Sequence, residues 1–271
     1  GLSVGTGDGG SDLDGDTFSN LSEYEAGTSP GSTNEVPCAD IYVATYGDDV
    51  TGNGTLSAPY RTLQRGMKAA ASGKTVAALS GTYTGALNRN LSMAGKALTV
   101  ESESGAASTI IDCENEGCAF KFTDSETASC ILDGFTVKNG SGAVSGTSGG
   151  GIYCSGANPL IRNCTIKDCR TGMGGGILLE NSSATVTNCV IQDNEGTTFG
   201  GGIHCATGAA PAIVGCTLQG NSSGLGGGIS SLPGANPLLA GTAFSCNTAT
   251  NGLGGGLYCD SGITVTNSAF T

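Results

Sequence analysis

The sequence predicts an all-β chain wound into a right-handed parallel β-helix. Two observations carry this prediction. A glycine triplet followed by an aliphatic residue recurs at 25, 26, 26 and 28 residues, and the segments between the copies are short runs rich in Ile, Val, Thr and Leu without helical periodicity. A fixed period of this length indicates stacked coils. The five copies are Gly149-Gly150-Gly151-Ile152, Gly174-Gly175-Gly176-Ile177, Gly200-Gly201-Gly202-Ile203, Gly226-Gly227-Gly228-Ile229 and Gly254-Gly255-Gly256-Leu257.

A second motif lies between the triplets. It reads Asn163-Cys164-Thr165-Ile166 in its first copy and recurs with substitutions in the later units. When equivalent positions stack, the repeat predicts continuous columns along the axis. The first is an apolar column inside the tube, formed by Ile152, Ile177, Ile203, Ile229 and Leu257. The second is a ladder of side-chain amides, formed by Asn194, Asn221 and Asn247.

Upstream of the triplets the period is looser. Residues 75–79, 97–100 and 119–122 are predicted to begin earlier coils, and residues 140–148 to form a loop inserted before the first triplet. About eight coils result, which makes a rod about 40 Å tall at one strand spacing per coil.

A helix is predicted over residues 59–71, before the first coil. Tyr60, Leu63, Met67 and Ala70 fall on one face of it. The end of a stacked tube exposes unpaired strand edges, so we expect this helix to cover the first coil as a cap.

An acidic loop at residues 12–23 has the spacing of oxygen ligands that Ca²⁺ prefers. Side-chain oxygens stand at loop positions 1, 3, 5, 9 and 12, and a backbone carbonyl falls at position 7. Thr17 at position 6 and Gly15 at position 4 distinguish the loop from an EF-hand. The predicted calcium ligands are Asp12, Asp14, Asp16, Phe18 through its carbonyl, Asn20 and Glu23.

Residues 8–30, which continue the loop with Tyr24-Glu25-Ala26-Gly27-Thr28-Ser29-Pro30, resemble the bacterial thrombospondin type 3 repeat. The resemblance implies a stiff calcium-loaded spacer of a secreted or surface protein, with Asp8 as a ligand of a second ion.

Two further resemblances concern the coil. Residues 41–85 look like the opening of pectate-lyase-like right-handed β-helix proteins, and the Gly-Gly-Gly-Ile motif with Phe244-Ser245-Cys246-Asn247 is similar to the repeats of polymorphic outer membrane proteins, which are surface adhesins. We therefore divide the chain into a calcium-binding spacer at residues 1–37, an N-terminal cap at residues 38–74 and a β-helix at residues 75–271 that is expected to continue further.

The charge and the cysteines limit the partners and the compartment. The net charge is −12, and all eleven Lys and Arg precede Thr171, which disfavours nucleic acid, an anionic membrane or a polyuronate as a partner of the later coils. Twelve cysteines in such a chain indicate an oxidising, extracellular setting. Cys164, Cys189 and Cys216 share one column, and they are interpreted either as disulfide partners or as buried free thiols.

Catalysis is the alternative function. A lyase needs a base beside a cation, and the basic candidates are Lys121, Lys138, Arg162, Lys167 and Arg170. A glycosidase needs two carboxyl groups, which Asp168 and Asp193 would supply from adjacent coils, with Glu195 nearby; both are otherwise ordinary bend residues. His204 is predicted to be an exposed surface residue.

The expected function is non-catalytic: a secreted or surface rod, stalk or fibre segment with Ca²⁺ as its cofactor. Its expected partners are further coils at Phe270-Thr271, from a longer chain or another copy, and a surface glycan or protein ligand. The runner-up is a polysaccharide-binding or polysaccharide-cleaving β-helix.

Overall fold

A computed structural model describes residues 39–142, 149–260 and 262–271 of the chain. The spacer assigned to residues 1–37 lies outside these residues, as does most of the predicted loop at residues 140–148. The calcium site therefore stays a prediction. Its ligands, all outside the described residues, are Asp12, Asp14, Asp16, Phe18, Asn20 and Glu23.

One full turn of the coil consists of four short strands, and each strand belongs to a different parallel sheet. In the turn that starts at residue 160 these strands are β10 (Leu160–Arg162), β11 (Thr165–Lys167), β12 (Arg170–Met173) and β13 (Ile177–Glu180). Each pairs in parallel with its equivalent in the following turn. We name the four sheets A, B, C and D in this order.

Sheets A and B are the longest, with nine and eight strands. Besides β10, sheet A contains β1 (Ile41–Val43), β2 (Thr75–Ala78), β4 (Thr99–Ser102), β7 (Ile131–Asp133), β14 (Thr185–Thr187), β18 (Ala212–Val214), β22 (Leu238–Ala240) and β26 (Thr264–Thr266). Besides β11, sheet B contains β3 (Gly81–Tyr83), β5 (Thr109–Asp112), β8 (Thr136–Lys138), β15 (Val190–Gln192), β19 (Thr217–Gln219), β23 (Ala243–Ser245) and β27 (Ala269–Phe270).

Sheets C and D have four and six strands. Besides β12, sheet C contains β16 (Glu195–Phe199), β20 (Ser222–Leu225) and β24 (Thr248–Leu253). Besides β13, sheet D contains β6 (Phe120–Phe122), β9 (Ile152–Ser155), β17 (Ile203–Cys205), β21 (Ile229–Ser231) and β25 (Leu257–Cys259).

The coil count and one coil start differ from the sequence prediction. The solenoid has about seven turns, where about eight were predicted. The strands at residues 75–78 and 99–102 do pair in sheet A, but the segment at residues 119–122 forms β6 in sheet D. The next strand of sheet A is β7, which begins at Ile131 after residues 123–130 connect sheet D to sheet A. An apolar run alone does not reveal which face of a coil it occupies.

The core is a set of stacked apolar columns. In sheet D the predicted column is confirmed, because each of its members pairs with the next. The first four members are fully buried, and the fifth packs against the core. They are Ile152, Ile177, Ile203, Ile229 and Leu257. Sheets A and B supply similar columns, which include Ile161 and Val186 from sheet A and Ile166 and Ile191 from sheet B.

Residues in the left-handed conformation turn the chain at two corners of each coil. Asn163 and Asn188, with φ of 54° and 52°, lie between sheets A and B; Asp168 and Asp193, with φ of 54° and 55°, lie between sheets B and C. Asn and Asp tolerate this conformation better than other residues with a Cβ atom. The two Asp residues therefore stand where the backbone requires a residue of their kind.

The cysteine column is present, and its thiols are free. Cys164, Cys189 and Cys216 are buried, and each Sγ donates to the carbonyl two residues earlier, at 3.1, 3.3 and 3.5 Å. Thr242 continues the column with the same bond, at 3.4 Å. The interpretation as buried free thiols is thus confirmed for these three. The structure also shows free, buried thiols at Cys113 and Cys118.

The predicted helix is present but shorter than expected. Helix α1 covers Leu63–Ala69, and Thr62 is its N-cap. Tyr60, Leu63, Met67 and Ala70 are buried, which confirms the apolar face. Its role as a cap stays a prediction. Among the described residues no helix is long and apolar enough to cross a membrane.

Candidate functional site

The predicted acid pair lies on the outside of the coil. Lys167 pairs with Gln192 across sheet B, so Asp168 and Asp193 occupy equivalent places in adjacent coils, as predicted. Both are exposed, and the side chain of Asp168 retains 46% of its accessible surface. The structure therefore brings the two acids to neighbouring corners on an open surface without a surrounding cleft.

Four of the five predicted basic candidates are held in ion pairs. Three contact a carboxylate of a neighbouring coil: Lys138 and Asp112 at 3.1 Å, Arg162 and Asp133 at 2.6 Å, and Arg170 and Glu195 at 3.1 Å. Lys167 contacts Asp168, the next residue, at 3.4 Å. The fifth, Lys121, lies beside Tyr153 in sheet D. These contacts link coils and occupy the groups that were candidate bases.

Asp112 is the most strongly held of these carboxylates. Burial works against its charge, but Nδ2 of Asn139 donates to it at 2.9 Å and the N–H of Glu114 at 3.0 Å. Together with the ammonium group of Lys138, these donors lower the pKa of Asp112 below its ordinary value. This side chain is therefore a structural anion.

A second group of carboxyls lies on sheet A, where the sequence analysis did not place a site. Glu101 pairs in register with Asp133, which pairs with Arg162. We call Glu101, Glu103, Asp133 and Arg162 the carboxyl cluster. Burial raises the pKa of Glu101, and the charges of Asp133 and Glu103 raise it further, whereas Arg162 lowers it. Burial also raises the pKa of Glu103.

The carboxyl cluster combines an ion pair with two carboxyl groups whose pKa is raised. Asp133 accepts from Nε of Arg162 at 2.6 Å and from Nδ2 of Asn163 at 2.7 Å, while burial and the neighbouring charges raise the pKa of Glu101. Perturbed carboxyl groups of this kind concentrate at functional sites. No sequence pattern indicated the cluster, because Glu101 and Asp133 lie outside the regular repeat and only the register of sheet A brings them together.

His204 is buried, so its prediction as an exposed residue is wrong. It does point outward from sheet D, between Leu178 and Ser230. Its exposure is nevertheless 0%, because Phe199 of sheet C stacks on it with ring centroids 5.4 Å apart. Burial lowers the pKa of His204 to about 4. The alternation of inward and outward residues along a strand predicts the direction of a side chain. It does not predict which residues of another sheet cover that side chain.

The described residues contain no group of three or more His, Cys, Asp or Glu side chains placed to hold a metal ion. Three of the buried thiols are chemically quiet, because burial raises the pKa of Cys118 to about 11 and of Cys169 and Cys205 to about 12. A thiol with a raised pKa is a poor nucleophile and a poor ligand.

Comparison with solved structures identifies the fold. The pectate lyase Pel9A is similar with a TM-score of 0.53 and 16% identity over 85% of this chain and 61% of that chain. A rhamnogalacturonan lyase is also similar, with a TM-score of 0.36 and 14% identity over 85% of this chain and 62% of that one. The chain thus spans about three fifths of each neighbour. At this identity the likeness shows the fold alone.

Comparison with protein families gives a clearer assignment. No curated protein matches the sequence. The family model described as right-handed beta helix region matches residues 97–270, which is more than half of the chain. The parallel pairing of the four sheets agrees with that match. The chain belongs to the right-handed β-helix family.

Proposed function

We propose that the chain is a non-catalytic structural or adhesive β-helix, a rod or stalk segment of a secreted or cell-surface protein. The observation that carries this proposal is that its basic side chains form ion pairs between coils. Lys138, Arg162 and Arg170 are each held by a carboxylate of the adjacent coil. A lyase base must be open to the substrate, whereas these groups join one coil to the next.

The outer faces of the later coils support a role in binding a partner through uncharged side chains. In strands β14, β18, β22 and β26 of sheet A the outward residues are uncharged, and Val214 and Leu238 among them are exposed. Sheet B continues this surface with Gln192 and Gln219, whose side chains are hydrogen-bonded to each other at 3.2 Å. A partner on this face, whether a surface glycan or a protein, would be recognised by shape and neutral hydrogen bonds.

Two further parts of the proposal rest on the sequence. Ca²⁺ bound in the loop at residues 12–23 would stiffen the spacer. A further coil, from a longer chain or a second copy, would pair with β26 and β27, the last strands in the order of sheets A and B.

The test is a depolymerisation and binding screen. The full chain is incubated with neutral and acidic polysaccharides, including pectate, and reducing ends are measured against a heat-denatured sample. We expect no release above that control, together with retention on at least one insoluble polysaccharide or surface protein. Release that survives purification and disappears in Glu101→Gln would contradict the proposal.

A second candidate function is polysaccharide cleavage at the carboxyl cluster. The observation that favours it is the raised pKa of Glu101 beside the ion pair of Asp133 and Arg162. Glu101 would donate a proton to the leaving oxygen, and Asp133 would stabilise the developing positive charge. The fold shared with a pectate lyase is compatible with this function. The matched control is Asp260→Asn, which removes an exposed carboxylate outside both the carboxyl cluster and the pair of Asp168 and Asp193 and should leave any cleavage unchanged.

A further inference from the structure

The segment that leads from sheet C to sheet D covers part of the outward face of sheet D. We call residues 195–201 the arm: they comprise β16 and the first two glycines of the following triplet. A Cβ atom on Gly196 would lie 2.5 Å from the carbonyl oxygen of Phe199 and 2.6 Å from that of Gly200, so the arm folds tightly back on itself. Thr197 and Thr198 form its exposed tip.

The arm is anchored at both ends and loose at its tip. Glu195 and Gly196 pair in register with β12 and β20, but the register shifts before Phe199 in both pairings. Thr197 and Thr198 therefore fall outside the ladder. A displacement of the tip would therefore leave the paired residues at both ends of the arm in place.

Beneath the arm, His204 makes two contacts. Its ring stacks on Phe199 at an interplanar angle of 16°, and its Nδ1 lies 2.6 Å from Oγ of Ser230. Its Nε2 is buried and has no hydrogen-bond partner among the described residues. The neutral ring therefore has a hydrogen-bond partner at one nitrogen only. Protonation of the ring would place a second N–H donor in an apolar space.

Among the residues that the structure describes, no unpaired carboxylate faces His204 as a counter-ion. Its neighbours in sheet D are Leu178 and Ser230. Glu180 on β13 is hydrogen-bonded to the hydroxyl of Tyr153 at 2.5 Å, and Glu195 on β16 is paired with Arg170. The other titratable group on its own strand is Cys205, which points into the core. Strands β20 and β21 carry no charged residue.

We propose that the arm is an acid-released flap with His204 as its latch: protonation of His204 displaces the ring of Phe199 and the tip at residues 197–198, while the paired backbone of the coil stays wound. Water reaches an imidazolium at this position most directly by displacing the ring that covers it. The displacement uncovers the ring of His204 and the face of Phe199 that stacks on it. The coil remains because the asparagine ladder and the core columns contain no group that titrates with His204.

The amino-acid composition of the chain allows each signal in the test to be assigned to one residue. It has a single histidine and no tryptophan. Phe199→Trp therefore introduces a single tryptophan on the arm, and the imidazole NMR signals of the unsubstituted chain report one residue. The matched control is Phe199→Trp with His204→Leu, because Leu178 occupies the equivalent buried position one coil earlier.

Between pH 7 and 3 we expect the tryptophan emission to shift to longer wavelength with the same midpoint as the His204 titration. That midpoint should lie between the buried value of about 4 and the ordinary value of 6.5, because opening of the arm releases the group. The β-sheet circular dichroism should stay constant over this range. In the unsubstituted chain, the nuclear Overhauser contact between the rings of Phe199 and His204 should disappear with that midpoint.

Three results would overturn the proposal. The emission could stay constant while His204 titrates, the double variant could show the same shift, or the circular dichroism could collapse at the same midpoint. The ring contact in the unsubstituted chain keeps the test decisive if the tryptophan variant does not fold.

Discussion

The side-chain Nδ2 of Asn194 lies 3.0 Å from Oδ1 of Asn221 in the next coil. The same Oδ1 also accepts from the backbone N–H of Asn194 at 3.1 Å, and Nδ2 of Asn194 donates to the carbonyl of Ile166 at 2.9 Å. Asn221 repeats this arrangement with Asn247 and Ile191. The predicted ladder is therefore confirmed, and it satisfies buried backbone groups at a corner where strand pairing does not.

Asn221→Ala should destabilise the chain strongly. It removes the acceptor of two N–H groups of Asn194 and the donor to Ile191, all buried. At about 1 to 3 kcal/mol for a buried group left unsatisfied, we expect a loss of about 3 kcal/mol in the free energy of unfolding. Urea unfolding measures this. Gln219→Ala removes an exposed amide two residues before Asn221 and should change stability by less than about 0.5 kcal/mol. Equal losses in the two variants would contradict the role of the ladder.

Three glycine substitutions separate backbone strain from crowding. Gly172→Ala should be nearly neutral, because its φ is ordinary and a Cβ atom would meet open space. Gly156→Ala adds left-handed strain alone, at φ 62°, and should cost about 1 to 2 kcal/mol. Gly200→Ala adds to this strain an overlap with the carbonyl of Ile203 and should cost about 3 kcal/mol or more. Equal midpoints of thermal unfolding for Gly156→Ala and Gly200→Ala would show that crowding is relieved.

Ile203→Asp should unfold the coils around residue 203. Ile203 is fully buried between Ile177 and Ile229, so the substitution places a carboxylate in the internal column. Stability in a solenoid depends on contacts between neighbouring units, so the damage should spread to both adjacent coils. Hydrogen exchange resolves the affected strands. Thr197→Asp introduces the same charge at the exposed tip of the arm, and its exchange pattern should match that of the parent chain.

The stability of the chain should fall as the pH is lowered from about 6.5 towards 4. His204 has a pKa of about 4 when folded and 6.5 as its ordinary value, so the unfolded chain binds more protons in this window. The largest loss from this group is about 3 kcal/mol. Glu101 has the opposite sign, because its raised pKa favours the folded state at low pH. Urea unfolding as a function of pH should show a weaker acid loss in His204→Leu and a stronger one in Glu101→Gln.

Calcium binding should be measurable by calorimetry on the intact chain. Asp12, Asp14 and Asp16 place three carboxylates within five residues, which repel one another without a cation. Asp14→Ala should abolish or greatly weaken the calcium-dependent heat. Asp193→Asn, which removes an exposed carboxylate of the coil, is the control and should retain it. A parent chain without calcium-dependent heat would remove the spacer site from the proposal.

The sequence predicted the parts of the fold that repeat. Ile203 and Asn221 were assigned correctly because the environment of each is made by copies of itself in adjacent coils, so the period alone brings the contacts together. His204 was assigned wrongly because its cover comes from Phe199, a residue of another sheet in the same coil. The pairing of Glu101 with Asp133 was missed because the two residues are 32 positions apart, outside the repeat of 25 to 28 residues.

The third glycine of each triplet leaves space for the coil that follows it. A Cβ atom on Gly176 would lie 2.6 Å from the carbonyl oxygen of Gly202, and one on Gly202 equally close to that of Gly228. Each coil therefore carries the cavity into which its successor fits, and the successor needs only a backbone to fill it. The chain can gain or lose whole coils by duplication or deletion without new complementary side chains at this seam. A single substitution at such a glycine would instead disturb the packing of the neighbouring coil, although that coil's own sequence is unchanged.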